Sequence, residues 1–98
     1  MAISDGRRVV TTAGRRVQLS TASAAGGRVT IAAEPDNTGV VVVGGATVVA
    51  AAATRQGIPL HASPATGETR VSFYADDLST VYIDAERDGD GVTYLVEG

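Results

Sequence analysis

The chain has 98 residues, of which 44% are hydrophobic and 19% charged, and its net charge is −3 at pH 7. This length predicts one domain with a thin core, and the acidic balance excludes a general binder of nucleic acids or membrane surfaces, which needs clustered positive charge. The chain contains no cysteine, which excludes disulfide bonds and thiolate metal sites.

Short β-type segments alternate with turn residues in the first third of the chain. They predict a flexible N-terminal arm at 1–6 and strands at 7–13 and 14–20. A loop of small residues at 22–27 and a third strand at 28–34 follow. In the last of these, Val29, Ile31 and Ala33 recur at every second position. This alternation predicts a strand with one buried face.

A run of four valines follows the turn signal PDNTG, within PDNTGVVVVGG at residues 35–45. A strand that is apolar on both sides is covered on both faces, because an uncovered apolar strand would promote aggregation. The cover is either a loop such as 46–57, of which residues 50–57 are a connection, or a neighbouring subunit, and the alanine-rich stretch could serve in either arrangement. We favour the subunit interface and expect Val41 and Val42 to lie in it.

The second half continues the same pattern. It predicts an extended segment at 58–62, a turn at 63–68 and a strand at 69–75. A turn at 76–80, a strand at 81–85, a hairpin loop at 86–91 and a last strand at 92–97 follow. In the strand 81–85, Val81 and Ile83 alternate with Tyr82 and Asp84. The whole chain therefore predicts a single all-β domain, 1–98. Its architecture is a β-sandwich or small barrel of seven to nine short, mainly antiparallel strands.

The segment ERDGDGVTYLVE, residues 86–97, matches the ligand spacing of an EF-hand calcium loop, except that Glu86 replaces the first aspartate. An EF-hand needs a helix on each side, but the preceding segment alternates as a strand and a single residue follows Glu97. Because Asp-Gly is a strong turn signal, the hairpin interpretation is favoured and no metal ion or other cofactor is predicted.

The remaining chemically active side chains do not assemble into a catalytic motif. His61 is the only histidine, and we interpret it as a surface or hydrogen-bonded residue. The adjacent Asp76 and Asp77 are interpreted as caps of a turn rather than an acid–base pair. The sequence therefore predicts a protein that is not an enzyme.

One basic cluster lies near the N-terminus and consists of Arg7, Arg8, Arg15 and Arg16. A solvated face is the default interpretation, and docking against an acidic protein surface by bidentate pairing is the functional one. Nucleic acid ranks third, because no aromatic platform accompanies these arginines.

Four segments resemble small all-β structural proteins of tailed bacteriophages, such as head-decoration and head-fibre-like proteins. They are EPDNTGVVVVGG, GIPLHA, DDLSTVYIDA and DGDGVTYLVEG, and the resemblance spans roughly residues 9–97. The stretch TVVAAAATRQG departs from the pattern. The resemblance implies a virion component that works by binding, carries over no active-site residues, and gives Asn37, Thr38 and Gly39 a structural role in a turn.

The resemblance implies, as its first choice, a capsid decoration or cement protein that binds the major capsid protein and forms a homo-oligomer, and the mildly acidic composition suits this role. It is expected in the phage particle after synthesis in the bacterial host cytoplasm, without a nucleic-acid or membrane partner. A phage neck, tail or fibre-base component is the first alternative. A carbohydrate- or ligand-binding β-sandwich is the weaker one, and it would have to use Tyr74, Tyr82 and Tyr94 as its aromatic platform.

Overall fold

The computed structural model describes residues 3–20 and 25–98, which form two four-stranded antiparallel sheets. The strands within these residues are β1 Ile3–Val9, β2 Val17–Gln18, β3 Ala25–Ala33, β4 Val41–Gly44, β5 Ile58–Leu60, β6 Arg70–Asp77, β7 Tyr82–Ala85 and β8 Gly91–Glu97. The long sheet has the order β1-β8-β3-β6, and the short sheet has the order β2-β7-β4-β5. The predicted all-β sandwich is confirmed.

The main core lies between the two sheets, because alternate side chains of each strand point to the same face. Val29 and Ile31 of the long sheet join Val41 and Ile83 of the short sheet in one fully buried cluster. The predicted inward alternation of β3 is therefore confirmed. Large rings lie at the margin of this core, where Phe73 and other partly buried side chains pack against it.

The run of four valines is covered on both faces within a single chain. Val41 and Val43 belong to the core between the sheets, whereas Val42 points the other way and packs against Val48 and Ala50. The side chain of Val42 is 0% exposed. A subunit interface at Val41 and Val42 is therefore wrong, since the chain buries both side chains itself and the alanine-rich stretch supplies the outer cover.

Gly57 lets this covering loop, residues 45–57, return to the sheet. Its φ of +112° is unfavourable for other residues, and a Cβ there would lie 2.7 Å from the carbonyl oxygen of Val43. Two backbone hydrogen bonds between Val49 and Gln56, of 3.1 and 2.9 Å, close the loop just before this glycine. The loop therefore needs a residue without a Cβ at position 57, because its backbone passes close to that of Val43.

We expect Gly57→Ala to lower the free energy of unfolding by about 2–3 kcal/mol, because the added methyl group meets the carbonyl oxygen of Val43 and the side chains of Val42 and Val48 at a strained φ. Urea denaturation measures the change. Gly45→Ala is the matched control in the same loop, since a Cβ there meets nothing within 4 Å, and its expected change is within about 0.5 kcal/mol. Equal losses in the two variants would contradict the close contact at Gly57.

Two predicted irregular segments are strands instead. The predicted N-terminal arm is wrong from Ile3 onward, because β1 pairs with β8 along its whole length, from Ile3↔Glu97 to Val9↔Gly91. Residues 25–27 of the predicted small-residue loop extend β3 alongside β6. Residues 1–2 and 22–24 of these two predictions lie outside the described residues.

The predicted hairpin at residues 86–91 is also wrong. The strand before it, β7, lies in the short sheet, and the strand after it, β8, lies in the long sheet. The segment therefore crosses between the sheets, with a tight turn at Gly89, whose φ is +86°. The turn predicted at residues 76–80 begins later, because β6 continues to Asp77, whose side chain then caps a 3₁₀ turn by accepting a hydrogen bond from the backbone N–H of Ser79.

Candidate functional site

Asp84 links three segments of the chain from a buried position. Its exposure is only 2%, although the alternation of the strand places it on the face opposite Val81 and Ile83. Its Oδ1 accepts hydrogen bonds from the backbone N–H groups of Gly14, at 3.1 Å, and Ala85, at 2.9 Å, and its Oδ2 accepts one from Ala50, at 2.9 Å. The side chain projects from the outer face of the short sheet, but the covering loop lies over it. Asp84 therefore has a structural role.

The Asn37–Gly39 turn is fastened to the start of β8. Asp90, which is 5% exposed, accepts hydrogen bonds from the backbone N–H groups of Thr38, at 3.0 Å, and Gly39, at 2.8 Å. The Asn37 amide exchanges two hydrogen bonds with the backbone of Gly91, at 2.9 and 3.0 Å. These hydrogen bonds attach the Asn-Thr-Gly turn to β8, which agrees with the structural role expected for the turn.

The acidic segment 86–91 uses its carboxylates for separate contacts. Glu86 forms an ion pair with Arg55 at 3.2 Å, and Asp88 accepts a hydrogen bond from the backbone N–H of Ala13 at 2.7 Å. Within residues 3–20 and 25–98, no group of three or more histidine, aspartate or glutamate side chains is arranged to hold a metal ion. The carboxylates of this segment therefore hold neighbouring loops in place.

His61 packs against the turn that follows β5. A Cβ at Gly67 would lie 2.5 Å from the imidazole Cδ2, so the ring occupies the space above this glycine. The backbone N–H of His61 donates to the carbonyl of Glu68 at 2.7 Å. These contacts give the half-buried histidine a structural place in the connection between β5 and β6.

The predicted basic cluster is divided by the fold. Arg7 and Arg8 are neighbours in β1, so their side chains leave opposite faces of the sheet. Arg7 pairs with Glu34 at 2.7 Å, and this hydrogen bond and the charge of Glu34 raise the pKa of Arg7 above its ordinary value. Arg8 instead donates to the carbonyl oxygen of Gln18 at 2.8 Å, which connects the two sheets. The two arginines therefore cannot contact one partner surface together.

Arg15 and Arg16 form the remaining part of that cluster. Both are exposed in the loop between β1 and β2. Neither makes a salt bridge within the described part of the chain. We call these two residues the arginine loop, and docking of this loop on an acidic protein surface stays a prediction.

Among residues 3–20 and 25–98, no loop covers the outer face of the long sheet in the way that residues 45–57 cover the short sheet. The strand registers arrange its side chains in three rows across the sheet. The first row is Ile3, Glu97, Arg28 and Tyr74; the middle row is Asp5, Leu95, Thr30 and Ser72; the third row is Arg7, Thr93, Ala32 and Arg70. We call these positions the open face.

The open face carries most of the large apolar side chains that are exposed among the described residues. Ile3 is 65% exposed, Tyr74 82% and Leu95 38%, and the fourth such residue, Ile58, lies on the short sheet. Single exposed apolar residues are ordinary on a protein surface; three of the four such side chains share this face, with Glu97 and Arg28 between Ile3 and Tyr74. The open face is therefore the candidate site.

The charges of the open face differ between its two ends. The third row carries Arg7 and Arg70, whereas the first and middle rows carry the carboxylates of Glu97 and Asp5, with Arg28 beside Glu97. Positive charge thus predominates in the third row, whereas Arg28 offsets Glu97 in the first row and Asp5 gives the middle row one negative charge. A surface with acidic groups opposite the third row would be complementary to this end of the face.

An open apolar groove of about 630 Å³ runs along the free edge of the long sheet. Phe73 and Tyr74 of β6 line one side, and Val43 and Ile58 of the short sheet line the other. Asp76 adds a carboxylate to its rim. Tyr74 therefore borders both the groove and the open face.

The three tyrosines do not form one aromatic platform. Tyr82 packs against the cluster around Val42, and Tyr94 packs against the main core with its ring over Gly6. Tyr74 is the one that is largely exposed. The platform expected for a carbohydrate-binding site is therefore reduced to a single ring.

Sequence reasoning placed Tyr74 outward but did not identify the open face. Leu95 was detectable, because Thr93, Leu95 and Glu97 alternate with inward-facing neighbours in the last strand. Ile3 was not detectable, since it lay within the predicted arm. The grouping itself depends on strand register, which no motif in the sequence encodes.

Comparison with known proteins adds no relative to this picture. No family model, no curated protein and no solved structure matches the chain. Within the described residues, no helix is long and apolar enough to cross a membrane. The inference on function therefore depends on the fold, the open face and the sequence motifs.

Proposed function

We propose that this chain is a non-enzymatic structural protein of a bacteriophage particle, and specifically a capsid decoration protein that binds the head shell. The observation that carries the proposal is the open face, with exposed apolar side chains flanked by charge. Protein-binding surfaces combine apolar side chains with polar and charged groups. The phage context comes from the turn and strand motifs that resemble small all-β phage proteins.

The roles of the buried carboxylates support binding over turnover. Asp84 and Asp90 accept hydrogen bonds from backbone N–H groups of neighbouring loops. A catalytic carboxylate instead has to reach a substrate from an accessible site. These groups therefore stabilise the sandwich that presents the binding surfaces.

A decoration protein needs a contact to the shell as well as contacts between copies. The arginine loop suits the shell contact, because guanidinium groups form paired hydrogen bonds with carboxylates. Arg15 and Arg16 are exposed and lie together at the end of the sandwich where β1 leads into β2. The partner we assign to this loop is an acidic site on the major capsid protein.

The groove supports a second candidate, a ligand-binding β-sandwich. Its apolar lining and the adjoining ring of Tyr74 suit an apolar or sugar-like ligand. We rank this candidate lower because one exposed ring provides little stacking area. A neck, tail or fibre-base role would use the same protein-binding surfaces as decoration, so copy number separates these two.

Quantitative mass spectrometry of purified particles from the source tests the proposal. We expect the ratio of this chain to the major capsid protein to be near one or a simple fraction, since decoration follows the symmetry of the shell. A much smaller ratio would move the chain to the neck, tail or fibre base. Absence from the particles would contradict the phage role and favour the ligand-binding candidate.

Cosedimentation with particles that lack this chain tests the shell contact. The paired substitution Arg15→Glu with Arg16→Glu should weaken binding at least about tenfold, because each change replaces an attraction with a repulsion. The paired substitution Arg28→Glu with Arg87→Glu is the charge-matched control, since both side chains are exposed outside the arginine loop. Equal weakening by the control would argue for a general charge effect.

A further inference from the structure

We infer that the free edge of β6 pairs with the β6 edge of a second copy of this chain, as antiparallel strands related by a two-fold axis at Phe73. The two long sheets then form one continuous sheet. The inference deepens the proposed function, and rests on it for the need of contacts between copies, by naming the strand that makes this contact.

One side of the β6 backbone forms no strand pairing within the described residues, because β6 pairs with β3 alone and ends the long sheet. The backbone N–H of Ala33 donates to the carbonyl oxygen of Thr69 at 2.9 Å. This bond places the hydrogen-bonded pairs with β3 at the odd-numbered residues of β6, so the backbone groups of the even-numbered residues point to the free edge. These even-numbered residues are Arg70, Ser72, Tyr74 and Asp76.

The apolar groove along this edge leaves the inward side chains of the same strand accessible. Val71, Phe73 and Ala75 are half-buried and line the groove. Pairing with a second copy places Phe73 opposite its own counterpart, and Val71 opposite Ala75 on either side of it. At the end of the strand, Asp77 comes opposite the uncharged Thr69. Aromatic and β-branched cross-strand neighbours stabilise antiparallel pairs, so the contact covers apolar surface and also forms backbone hydrogen bonds.

The charges of β6 are arranged symmetrically about Phe73. The two-fold axis sets Arg70 opposite Asp76 of the second copy, and Asp76 opposite Arg70. Residues in a hydrogen-bonded antiparallel pair have their Cα atoms about 5.5 Å apart, and opposite charges in such a pair attract each other. Glu68, the nearest further carboxylate, precedes β6 and lies beyond the paired segment. The strand is therefore complementary to itself, as a two-fold contact requires.

Other registers lose both of these ion pairs. A shift by two residues in one direction sets Glu68 opposite Asp76, which brings like charges together. A shift by two in the other direction sets Arg70 opposite Leu78 and leaves Asp76 opposite Ser72. A shift by one residue would set outward side chains beside inward ones, which does not continue the two faces of the sheet. The charges thus select the register centred on Phe73.

The other sheet edges suit such pairing less well. In the short sheet, β2 has two residues, and β5 has three and contains Pro59. In the long sheet, β1 also allows Asp5 to lie opposite Arg7, but Arg7 already pairs with Glu34 within the chain. The inward side of β1 carries the charged Arg8, so pairing there covers little apolar surface. Because each copy offers one suitable edge, the pairing closes at two copies.

The chain has no cysteine, so introduced thiols report directly on this register. Ser72 lies opposite Tyr74 of the second copy, with Cα atoms about 5.5 Å apart, inside the ~4.4–6.8 Å range of a disulfide. Isolated Ser72→Cys and Tyr74→Cys chains are mixed and mildly oxidised. Because the two chains differ in mass, intact mass spectrometry separates the mixed dimer from the two homodimers.

The homodimers are the matched control in the same tube. The register offsets each cysteine by two residues from its own counterpart, which separates the Cα atoms by about 8–9 Å, beyond the ~7 Å limit of a disulfide. We expect at least about ten times more mixed dimer than either homodimer, with equal thiol labelling of both chains. A statistical mixture of the three dimers, or no dimer despite labelling, would overturn the inference. The second result would leave the edge to a different partner.

Exchange of charge tests the ion pairs in the same format. Arg70→Asp in both chains places carboxylates opposite each other and should lower the yield of mixed dimer at least about fivefold. Arg70→Asp in one chain with Asp76→Arg in the other gives opposite charges at both pairs again and should restore most of the yield. Arg28→Asp in both chains is the matched control on the neighbouring strand, with an expected change within about twofold. No recovery in the complementary mixture, or an equal loss in the control, would contradict the register.

The trapping experiment and the particle measurement fail independently. A chain that is present on particles at a decoration ratio but gives no mixed dimer would keep the proposed function and lose only the pairing of the β6 edges. A chain that gives the mixed dimer but is absent from particles would keep the pairing and lose the phage role.

Discussion

Replacing Asp84 with alanine is expected to lower the free energy of unfolding by about 4 kcal/mol, at the high end for a single substitution. The change leaves the backbone N–H groups of Gly14 and Ala50 without their carboxylate acceptor. Ala50 is buried, and an unsatisfied buried N–H costs about 1–3 kcal/mol, whereas Gly14 is exposed and also donates to the carbonyl oxygen of Ala85 at 3.4 Å. The space vacated beneath the covering loop adds to the loss.

Equilibrium urea unfolding followed by circular dichroism measures the effect of Asp84→Ala. Asp88→Ala is the matched control, because Asp88 is exposed and accepts one backbone hydrogen bond, from Ala13 at 2.7 Å. Its expected loss is about 1 kcal/mol or less. A loss in Asp84→Ala no greater than in the control would contradict the structural role of the buried carboxylate.

Asp84→Asn gives a graded version of the same test. The amide keeps one oxygen acceptor, so the expected loss is smaller, about 2 kcal/mol. The amide N–H of Ala50 should then exchange with solvent faster than in the unaltered chain, because it faces the former Oδ2 position. Unchanged exchange at Ala50 would show that the covering loop does not depend on this hydrogen bond.

Strands with one buried face were predictable from sequence, and an edge strand was not. Val29, Ile31 and Ala33 alternate because every second residue of β3 enters the core. In β1 the inward positions include Gly6 and Arg8, so its sequence shows no apolar alternation. Its position in the long sheet depends on backbone pairing with β8, which composition does not reveal.

The assignment of strands to sheets was also beyond the sequence. Asp-Gly at residues 88–89 is typical of a hairpin turn, but the backbone hydrogen bonds from Val10 to Asp90 and from Gly89 to Val10 attach this turn to the end of β1. The chain therefore enters the other sheet. Burial of Asp84 similarly depends on a loop more than thirty residues away, where Ala50 donates its hydrogen bond.

The candidate site combines outward positions from four strands that are distant in sequence. The alternation in β6 gave the direction of Tyr74, but only the register with β3 places it beside Arg28. The basic cluster shows the converse, because Arg7 and Arg8 are adjacent in sequence and face opposite sides of β1. The residues that share a surface could therefore be identified only from the three-dimensional structure.

Val42→Asp is expected to abolish cooperative folding or to cost at least about 4 kcal/mol, because it places a charge in a space that excludes water. Val42 packs against Val48 and Ala50, and its side chain is fully buried within the chain. Thermal unfolding followed by circular dichroism measures the loss. Ala46→Asp is the matched control, since Ala46 is exposed in the same covering loop, and its expected change is within about 0.5 kcal/mol.

The dependence on protein concentration separates the two possible covers of Val42. A cover supplied by the same chain predicts that the loss of stability in Val42→Asp is the same at all protein concentrations. A cover supplied by a second subunit would make the stability of the unaltered chain, and so the apparent loss, increase with concentration. Val41→Asp should show an equally large loss, since Val41 lies in the core between the sheets. Folded, fully stable variants at both positions would mean that neither face of the valine strand is buried.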